Sequence, residues 1–207
     1  MSRRIAVRML GGAGLLTLSV ACGQTSSPAP TGAPGTSASG SASVSQGGPE
    51  TNPAGDIPDS QAFVPYPAAD GKFTVSVPEG WSRTADGPAV LFRDKFNSVR
   101  IEATAAAAAP TVGSAQAAEV PQIQQAVQGY EPGKVTEEKR KAGPVVLLTY
   151  RAHSPNDPVT GKYVRQDVER YEFWRAGTEV VLTVASPVGS DNVDPWRTIT
   201  DSFQWHQ

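Results

Sequence analysis

The stretch GKFTVSVPEGW, residues 71–81, decides how the folded part of the chain begins. From Phe73 to Val77 it alternates apolar and polar side chains, which is the period of a half-buried β-strand. The alternation stops at Pro78-Glu79-Gly80, a combination typical of a turn. The stretch therefore predicts a strand with one face on a core, followed by a tight turn into Trp81.

Strand-like composition continues along the chain after this stretch. The apolar run from Val145 to Leu148 is typical of a strand that is covered on both faces. The charged stretch from Lys134 to Lys141 is expected at a solvent-exposed edge, where charges discourage further pairing. The predicted strands are 89–96 and 99–104, forming a hairpin around Asn97-Ser98; 134–141; 144–152; and 163–174 and 179–186, forming a hairpin through residues 175–178.

Two helices interrupt the series of strands. Residues 114–128 carry apolar side chains at helical spacing, with Pro121 expected to kink the helix or start a second one and Gly129 to end it. Asp194-Pro195 predicts a helix N-cap followed by proline at the first helical position. Trp196, Ile199 and Phe203 then share one face. We therefore expect an α+β domain over residues 61–207, with a single antiparallel sheet of about six or seven strands flanked by helices.

The first 22 residues have the pattern of an export signal, with basic residues at the start and an uncharged run too short to span a membrane. The run ends in Ser19-Val20-Ala21-Cys22, which resembles the lipobox of bacterial lipoproteins. The resemblance implies cleavage between Ala21 and Cys22 and a diacylglyceryl group on the Cys22 sulfur, whose two chains suffice as an anchor. The alternative is a secreted protein with a free thiol at Cys22. Ser2-Arg3-Arg4 resembles a twin-arginine export signal, and export by the Sec route is the alternative.

Residues 22–60 form the predicted link between the lipid and the domain. Nearly all of residues 23–55 are Gly, Ala, Ser, Thr or Pro. Such a segment has too little apolar surface to offset the entropy of ordering, so we expect a disordered tether.

Charge and motif content exclude several classes of function. Removing Arg3, Arg4 and Arg8 from the 18 basic residues leaves 15 against 20 acidic ones, a net charge of −5. A mildly acidic chain is not expected to bind nucleic acid, which calls for a basic face. No phosphate-binding loop, HExxH motif or set of cysteine ligands is present. We therefore predict no catalytic residue, no metal and no cofactor.

Two groups of polar residues in the second half of the domain contain side-chain types that are used in catalysis. His153, Ser154 and Asp157 are close in sequence but belong to one loop, whereas triad members converge from separate elements. The acidic residues of strand 163–174 alternate with arginines, which predicts an ion-paired, solvated sheet surface. Neither group predicts catalysis.

Aromatic side chains suggest a different kind of site. In strand 163–174, Tyr171 and Phe173 face away from Glu172 and Trp174. Either this strand is covered on both faces near its end, or one face offers aromatic anchors to a partner. Tyr171, Phe173 and Trp174 are therefore the candidate partner-binding residues.

The stretch GKFTVSVPEGW, together with a closing amphipathic helix that ends in DSFQW at residues 201–205, resembles the PsbP-like fold and in particular the LpqN-type lipoproteins of actinobacteria. The resemblance covers residues 62–206. It implies an α/β/α sandwich around an antiparallel sheet and a role in docking other proteins. No catalytic residues come with it.

These observations predict a monomeric, non-enzymatic lipoprotein on the outer face of the cytoplasmic membrane. Its expected partners are that membrane, through the lipid on Cys22, and a protein of the cell envelope. One alternative is a carrier of a small apolar ligand linked to transport, which an internal apolar pocket would favour. Another is a cell-wall hydrolase, which two carboxylates facing each other across a cleft would favour.

Overall fold

The alternation that begins at Phe73 forms a strand in this computed structural model, which describes residues 55–157 and 159–207. The strands in these residues are β1 (Phe63–Pro67), β2 (Phe73–Pro78), β3 (Ser82–Asp86), β4 (Ala89–Asp94), β5 (Asn97–Ala105), β6 (Glu131–Arg140), β7 (Gly143–His153), β8 (Arg165–Arg175), β9 (Thr178–Pro187) and β10 (Gln204–Trp205). The helical segments are α1 (Val112–Ser114), a π-helical turn (Ala115–Glu119), α2 (Val120–Ala126) and α3 (Val193–Asp201).

The strands form two antiparallel sheets. Seven strands pair in the order β3-β4-β5-β9-β8-β7-β6, and three pair in the order β1-β2-β10. The larger sheet confirms the predicted α+β fold and the predicted number of strands. The smaller sheet was not predicted, because β1 contains two prolines and β10 has only two residues. Strand β6 lies at an edge of the larger sheet, as its charges indicate.

The main core lies between the larger sheet and the layer made by β2 and α3. Its members are almost fully buried and include Val75, Tyr171, Phe173, Ile199 and Phe203. The opposite face of the sheet packs against the helical segment 112–126, where Ala115 meets Val146 and Leu148. The run Val145–Leu148 therefore serves two cores, which confirms the prediction of a strand covered on both faces.

One predicted turn is displaced along the chain. The β4–β5 hairpin turns at Lys95-Phe96, with Asp94 paired to Asn97, and not at Asn97-Ser98. Lys95 adopts a positive φ of 50°, whereas Asn97 is only 4% exposed. A buried side chain in a paired strand prevents Asn97 from serving as the turn residue. The β8–β9 hairpin turns at Ala176-Gly177, inside the predicted range.

The helices differ from prediction at their ends. Pro121 lies in the first turn of α2, so it starts a second helix as one of the two expectations stated. The N-cap of α3 is Asn192 and not Asp194, which lies inside the first turn. The helix ends at Asp201, and Phe203 is buried beyond it. The final DSFQW is therefore not helical to its end, because Trp205 pairs with Phe73 in the small sheet.

The ordered domain begins before residue 61. Ile57 is 4% exposed within the main core, and its backbone N–H donates to Asn192 Oδ1 at 2.7 Å. Gly55, Asp56 and Ile57 therefore contact the domain, although the predicted tether extends to residue 60. The predicted signal peptide, the cleavage site at Ala21 and Cys22, and the rest of the tether lie outside the described residues. In residues 55–157 and 159–207 no helix has the length and apolar character of a membrane span.

Candidate functional site

The aromatic residues near the end of β8 are mostly used by the core. Tyr171 and Phe173 are 2% and 1% exposed, so neither ring is offered to a partner and the prediction is wrong for these two. Strand β8 is instead covered on both faces, which was the alternative expectation. Trp174 is half-buried, and its indole N–H donates to the carbonyl of Ala106 at 2.9 Å. Of the three predicted residues, only Trp174 reaches an accessible surface.

A groove of about 220 Å³ lies beside Trp174, at the end of the larger sheet where β7 begins and β8 ends. Trp205 and Pro110 add apolar walls to it, and Pro144 comes from the start of β7. Glu137 of β6 also lines the groove and is exposed. The groove thus combines flat apolar rings with one solvent-accessible carboxylate.

Next to this groove, three glutamates converge on the face of the larger sheet that the helical segment covers. Glu172 comes from β8, Glu179 from the start of β9, and Glu119 from the π-helical turn. One carboxylate oxygen from each lies within 4.8 Å of the others. Pairing of Trp174 with Glu179 and of Glu172 with Val181 puts the two strand residues on the same face. The π-helical turn then brings Glu119 over them.

Arg170 holds two of these carboxylates. Its Nη2 donates to Glu119 Oε2 at 2.6 Å, and its Nε donates to Glu172 Oε1 at 3.2 Å. Glu172 has no exposed side-chain surface. Its second oxygen, Oε2, is buried and accepts no hydrogen bond from any described residue. A buried carboxylate oxygen without a donor is costly, so this atom calls for a partner.

Burial and neighbouring charge set the ionisation of the cluster. Burial, together with a hydrogen bond to Glu119 and the charge of Glu119, raises the pKa of Glu172 to about 8. Burial opposes the change at Glu119, but the hydrogen bond from Glu172 and the charge of Arg170 lower the pKa of Glu119. Burial and the charge of Glu119 raise the pKa of Glu179. At neutral pH without another cation, Glu172 therefore carries a proton that it shares with Glu119.

The charged surface continues on β5 beside this cluster. Arg100 contacts Asp86 through Nε and Glu102 through Nη1, each at 2.6 Å. With Arg170, two arginines thus stand among five carboxylates on this face. The predicted ion-paired surface is present, but its centre at Glu172 is buried under the helical segment and not solvated.

The other candidates from the sequence are engaged in local structure. Ser154 Oγ donates to the Pro155 carbonyl and accepts from the Val164 N–H. Asp157 Oδ1 accepts from Thr160, and the His153 ring stacks on Tyr163 with centroids 4.1 Å apart. These contacts hold the β7–β8 connection and do not align a nucleophile with a base.

The other two carboxylates of β8 are engaged by neighbouring side chains. Asp167 accepts from Arg151 at 2.7 Å, and Glu169 accepts from the Tyr171 hydroxyl. Both lie on the face opposite Glu172. Together with Glu131 they line an open pocket of about 380 Å³. Glu131 is paired with Arg165 at 2.6 Å, so each of the three carboxylates is held by a charged or hydroxyl partner, unlike the free acid and base that a glycoside hydrolase needs.

The glutamate cluster was missed by sequence reasoning for a simple reason. Its members lie 53 and 7 positions apart along the chain, with no fixed spacing that a motif could capture. The one available signal was Glu172 itself, an acidic residue between Tyr171 and Phe173 in a strand rich in core residues.

Solved structures of other proteins are similar to the fold of this chain, at low sequence identity. No protein-family model matches the sequence, and no curated protein matches it. The solution structure of cyanobacterial PsbP (CyanoP) from Synechocystis sp. PCC 6803 is similar over 75% of this chain and 100% of its own, at 14% identity and a TM-score of 0.50. LpqN of Mycobacterium tuberculosis, described as involved in cell envelope biogenesis, is similar over 72% of this chain and 93% of its own, at 14% identity and a TM-score of 0.41.

A protein from Bacteroides thetaiotaomicron VPI-5482 matches 69% of this chain at 12% identity and a TM-score of 0.45. This chain spans 48% of that protein's length. At such identities the similarity concerns the fold alone. The arrangement of strands and helices, together with the similarity to CyanoP, shows that residues 55–207 have a PsbP-like α+β fold.

Proposed function

We propose that this chain is a non-enzymatic accessory protein of the cell envelope that docks a segment of another envelope protein. A diacylglyceryl group on Cys22 holds it at the outer face of the cytoplasmic membrane, and the tether spaces the domain from the lipid. The lipobox-like sequence before Cys22 supports the anchor. The groove beside Trp174 supports the docking role.

The single observation that carries the docking role is the chemistry of this groove. Trp174, Trp205, Pro110 and Pro144 present apolar surfaces of the kind that extended, proline-containing segments use as binding sites. Glu137 is exposed at the same groove, and none of the described residues forms a salt bridge with it. The proposed occupant is therefore an extended segment that places a proline against the tryptophans and a lysine or arginine against Glu137.

The size of the groove agrees with such an anchor. Sites for cofactors and drug-sized ligands typically measure about 300–1,000 Å³, whereas this groove measures about 220 Å³. It suits one or two side chains of a longer segment better than a whole cofactor. Affinity is then expected to come from a few anchors and not from a large buried area.

Site-specific photo-crosslinking in intact cells tests this proposal. A photoreactive residue replaces Ala109, which is exposed on the groove, in the lipidated full-length protein. The matched control places the same residue at Ala85, which is exposed on β3 at the opposite edge of the larger sheet. We expect Ala109 to capture one envelope protein through a segment that contains proline and a basic residue.

Two further variants complete the experiment. Reversing the charge with Glu137→Lys is expected to reduce the yield of the adduct, and Cys22→Ala is expected to reduce it by releasing the protein from the membrane. Equal adducts from Ala85 and Ala109, or an adduct insensitive to Glu137→Lys, would reject the groove as the docking site.

A second candidate function has an observation of its own. A pocket of about 240 Å³ lies between α2 and the larger sheet, with Val120, Ile123, Val135 and Leu148 among its lining residues. An apolar pocket between helix and sheet is what a carrier of a small apolar ligand needs. Native mass spectrometry of the protein purified from its own membrane distinguishes a carrier from a docking protein. A carrier is expected to retain a bound ligand, and Ile123→Trp, which fills the pocket, is expected to abolish this retention.

A further inference from the structure

We propose that Glu119, Glu172 and Glu179 bind a calcium ion between the seven-stranded sheet and the π-helical turn. This inference is independent of the docking role. It rests on the geometry of the free carboxylate oxygens, on one buried atom that lacks a partner, and on the balance of charge around it.

The geometry leaves suitable oxygens free. Arg170 occupies Oε2 of Glu119 and Oε1 of Glu172. The remaining oxygens, Glu119 Oε1 and Glu172 Oε2, accept no hydrogen bond from an N–H or hydroxyl group of the described residues, and neither does the carboxylate of Glu179. Without a metal ion, Glu119 and Glu172 share only a proton. The hydrogen bonds from Arg170 therefore fix the orientation of both carboxylates without occupying the oxygens that we propose to bind calcium.

The spacing suits calcium. Ca²⁺ binds carboxylate oxygens at about 2.3–2.6 Å, so oxygens on opposite sides of the ion lie about 4.6–5.2 Å apart. The three ligand oxygens lie within 4.8 Å of one another. Mg²⁺ requires bonds of about 2.0–2.1 Å in a near-ideal octahedron and gives up its waters reluctantly, so we expect it to bind here more weakly than Ca²⁺. Three carboxylates leave the other coordination positions of calcium to water.

A separate observation points to a ligand at this place. Glu172 has no exposed side-chain surface, and its Oε2 is buried without an N–H or hydroxyl donor, so that in the absence of a cation only the proton shared with Glu119 is available to it. The Glu172 carboxylate is buried on the larger sheet, whereas Glu119 and Glu179 are half-buried, and one oxygen of each lies within 4.8 Å of the others. A cation at the centre of the three oxygens would satisfy Glu172 Oε2.

The charges around the site also favour a cation. Asp86, Glu102 and the three glutamates contribute five negative charges when ionised, and Arg100 and Arg170 contribute two positive ones. A divalent cation removes most of the excess negative charge. Glu119 and Glu179 are half-buried, so the site is accessible to an ion from their side.

Terbium luminescence measures this binding directly. Tb³⁺ replaces Ca²⁺ in oxygen sites, and Trp174 lies next to Glu179 in the strand pairing, close enough to excite a bound ion. The mature full-length chain is treated with EDTA, loaded with Tb³⁺ and titrated with Ca²⁺ or Mg²⁺. We expect saturable luminescence that Ca²⁺ displaces with half-saturation at or below about 1 mM, as in extracellular calcium modules, and that Mg²⁺ displaces less well.

The variants separate a calcium site from a carboxyl pair that holds only a proton. Glu172→Gln and Glu179→Gln are each expected to lower the affinity at least about tenfold. Because Glu179 is half-exposed, Glu179→Gln is expected to fold even if Glu172→Gln does not. Glu79→Gln, an exposed carboxylate in the β2–β3 turn, is the matched control and keeps the affinity unchanged. Luminescence that is absent, or that is the same in Glu179→Gln and the parent, would overturn the proposal.

Discussion

Glu172 is an ionisable side chain with no exposed surface, placed between two core aromatics. Because its neighbours Tyr171 and Phe173 fill the main core, Glu172 must face the helical segment on the other side of the sheet. Burial there favours the neutral acid, and the nearby Glu119 adds to this effect. Burying Glu172 therefore costs stability, and the same carboxyl group is able to hold a proton or to bind a cation.

The raised pKa of Glu172 predicts how stability varies with pH in the absence of metal. The folded protein holds this proton up to a pKa of about 8, whereas the unfolded chain releases it near 4.5. The stabilising contribution is therefore complete below pH 4.5 and is lost as the pH rises toward 8. Between pH 5 and 8 the free energy of unfolding should fall by roughly 2–4 kcal/mol.

Urea denaturation in EDTA at several pH values measures this slope. Glu172→Gln cannot ionise, so we expect its stability to change little over the same range and to exceed that of the parent at pH 8. Glu79→Gln should keep the parental slope. If Glu172→Gln is as sensitive to pH as the parent, then Glu172 does not carry the buried proton.

At the scale of the element, the connection from α2 to β6 shows how one backbone position limits the sequence. Gly129 has a positive φ of 64°, and a Cβ built on it would lie 2.5 Å from two atoms of the His153 ring. Gly80 also has a positive φ, 82°, but a Cβ there meets nothing within 4 Å. The two glycines therefore share a backbone conformation and differ in the space around them.

Alanine substitutions at Gly80 and Gly129 separate the cost of the backbone conformation from the cost of the contact with His153. Gly80→Ala should cost about 1–2 kcal/mol of stability, the cost of a left-handed backbone for a residue with a Cβ. Gly129→Ala should cost at least about 1 kcal/mol more, because the methyl group displaces His153. In a double-mutant cycle with His153→Ala, this excess should disappear, whereas no coupling is expected between Gly80→Ala and His153→Ala. A cost for Gly129→Ala no larger than that for Gly80→Ala would contradict the contact.

At the scale of the whole molecule, Phe203 joins the two sheets. Its ring stacks on Phe173 of the larger sheet, with centroids 4.3 Å apart, and on Phe73 of the smaller sheet at 5.3 Å. Trp205 packs edge-on against it at 5.0 Å. Phe203 and Trp205 thus connect the two sheets through the main core, so the domain should unfold as one unit.

Phe203→Ala tests whether the two sheets unfold together. The change removes a fully buried ring and should cost about 3–5 kcal/mol. Far-UV circular dichroism, which follows the strands, and tryptophan fluorescence should report the same lowered midpoint. Val193→Ala, at a side chain 63% exposed, should change stability by less than about 0.5 kcal/mol. Two separate transitions in the variant would mean that the sheets unfold independently.

Local patterns were enough to determine most of the elements. The alternation after Phe73, the apolar run after Val145 and the turn at residues 175–178 each predicted structure that is present, because side-chain period and turn chemistry act within a few residues. The lipobox-like sequence at Cys22 is likewise a local signal, and it remains a prediction about the part of the chain before residue 55. The β4–β5 turn was misplaced because the burial of Asn97 depends on the neighbouring strands and not on its own sequence.

The candidate site required the tertiary structure. Sequence alone predicted an antiparallel α+β domain and placed Trp174 at the end of a strand that is either covered on both faces or offers aromatic anchors to a partner. Only the folded chain decided that Tyr171 and Phe173 are core residues, that Trp205 and Pro110 stand beside Trp174, and that Glu119 meets Glu172. The physical reason is distance along the chain: these groups come from separate elements, and only strand pairing and helix packing bring them together.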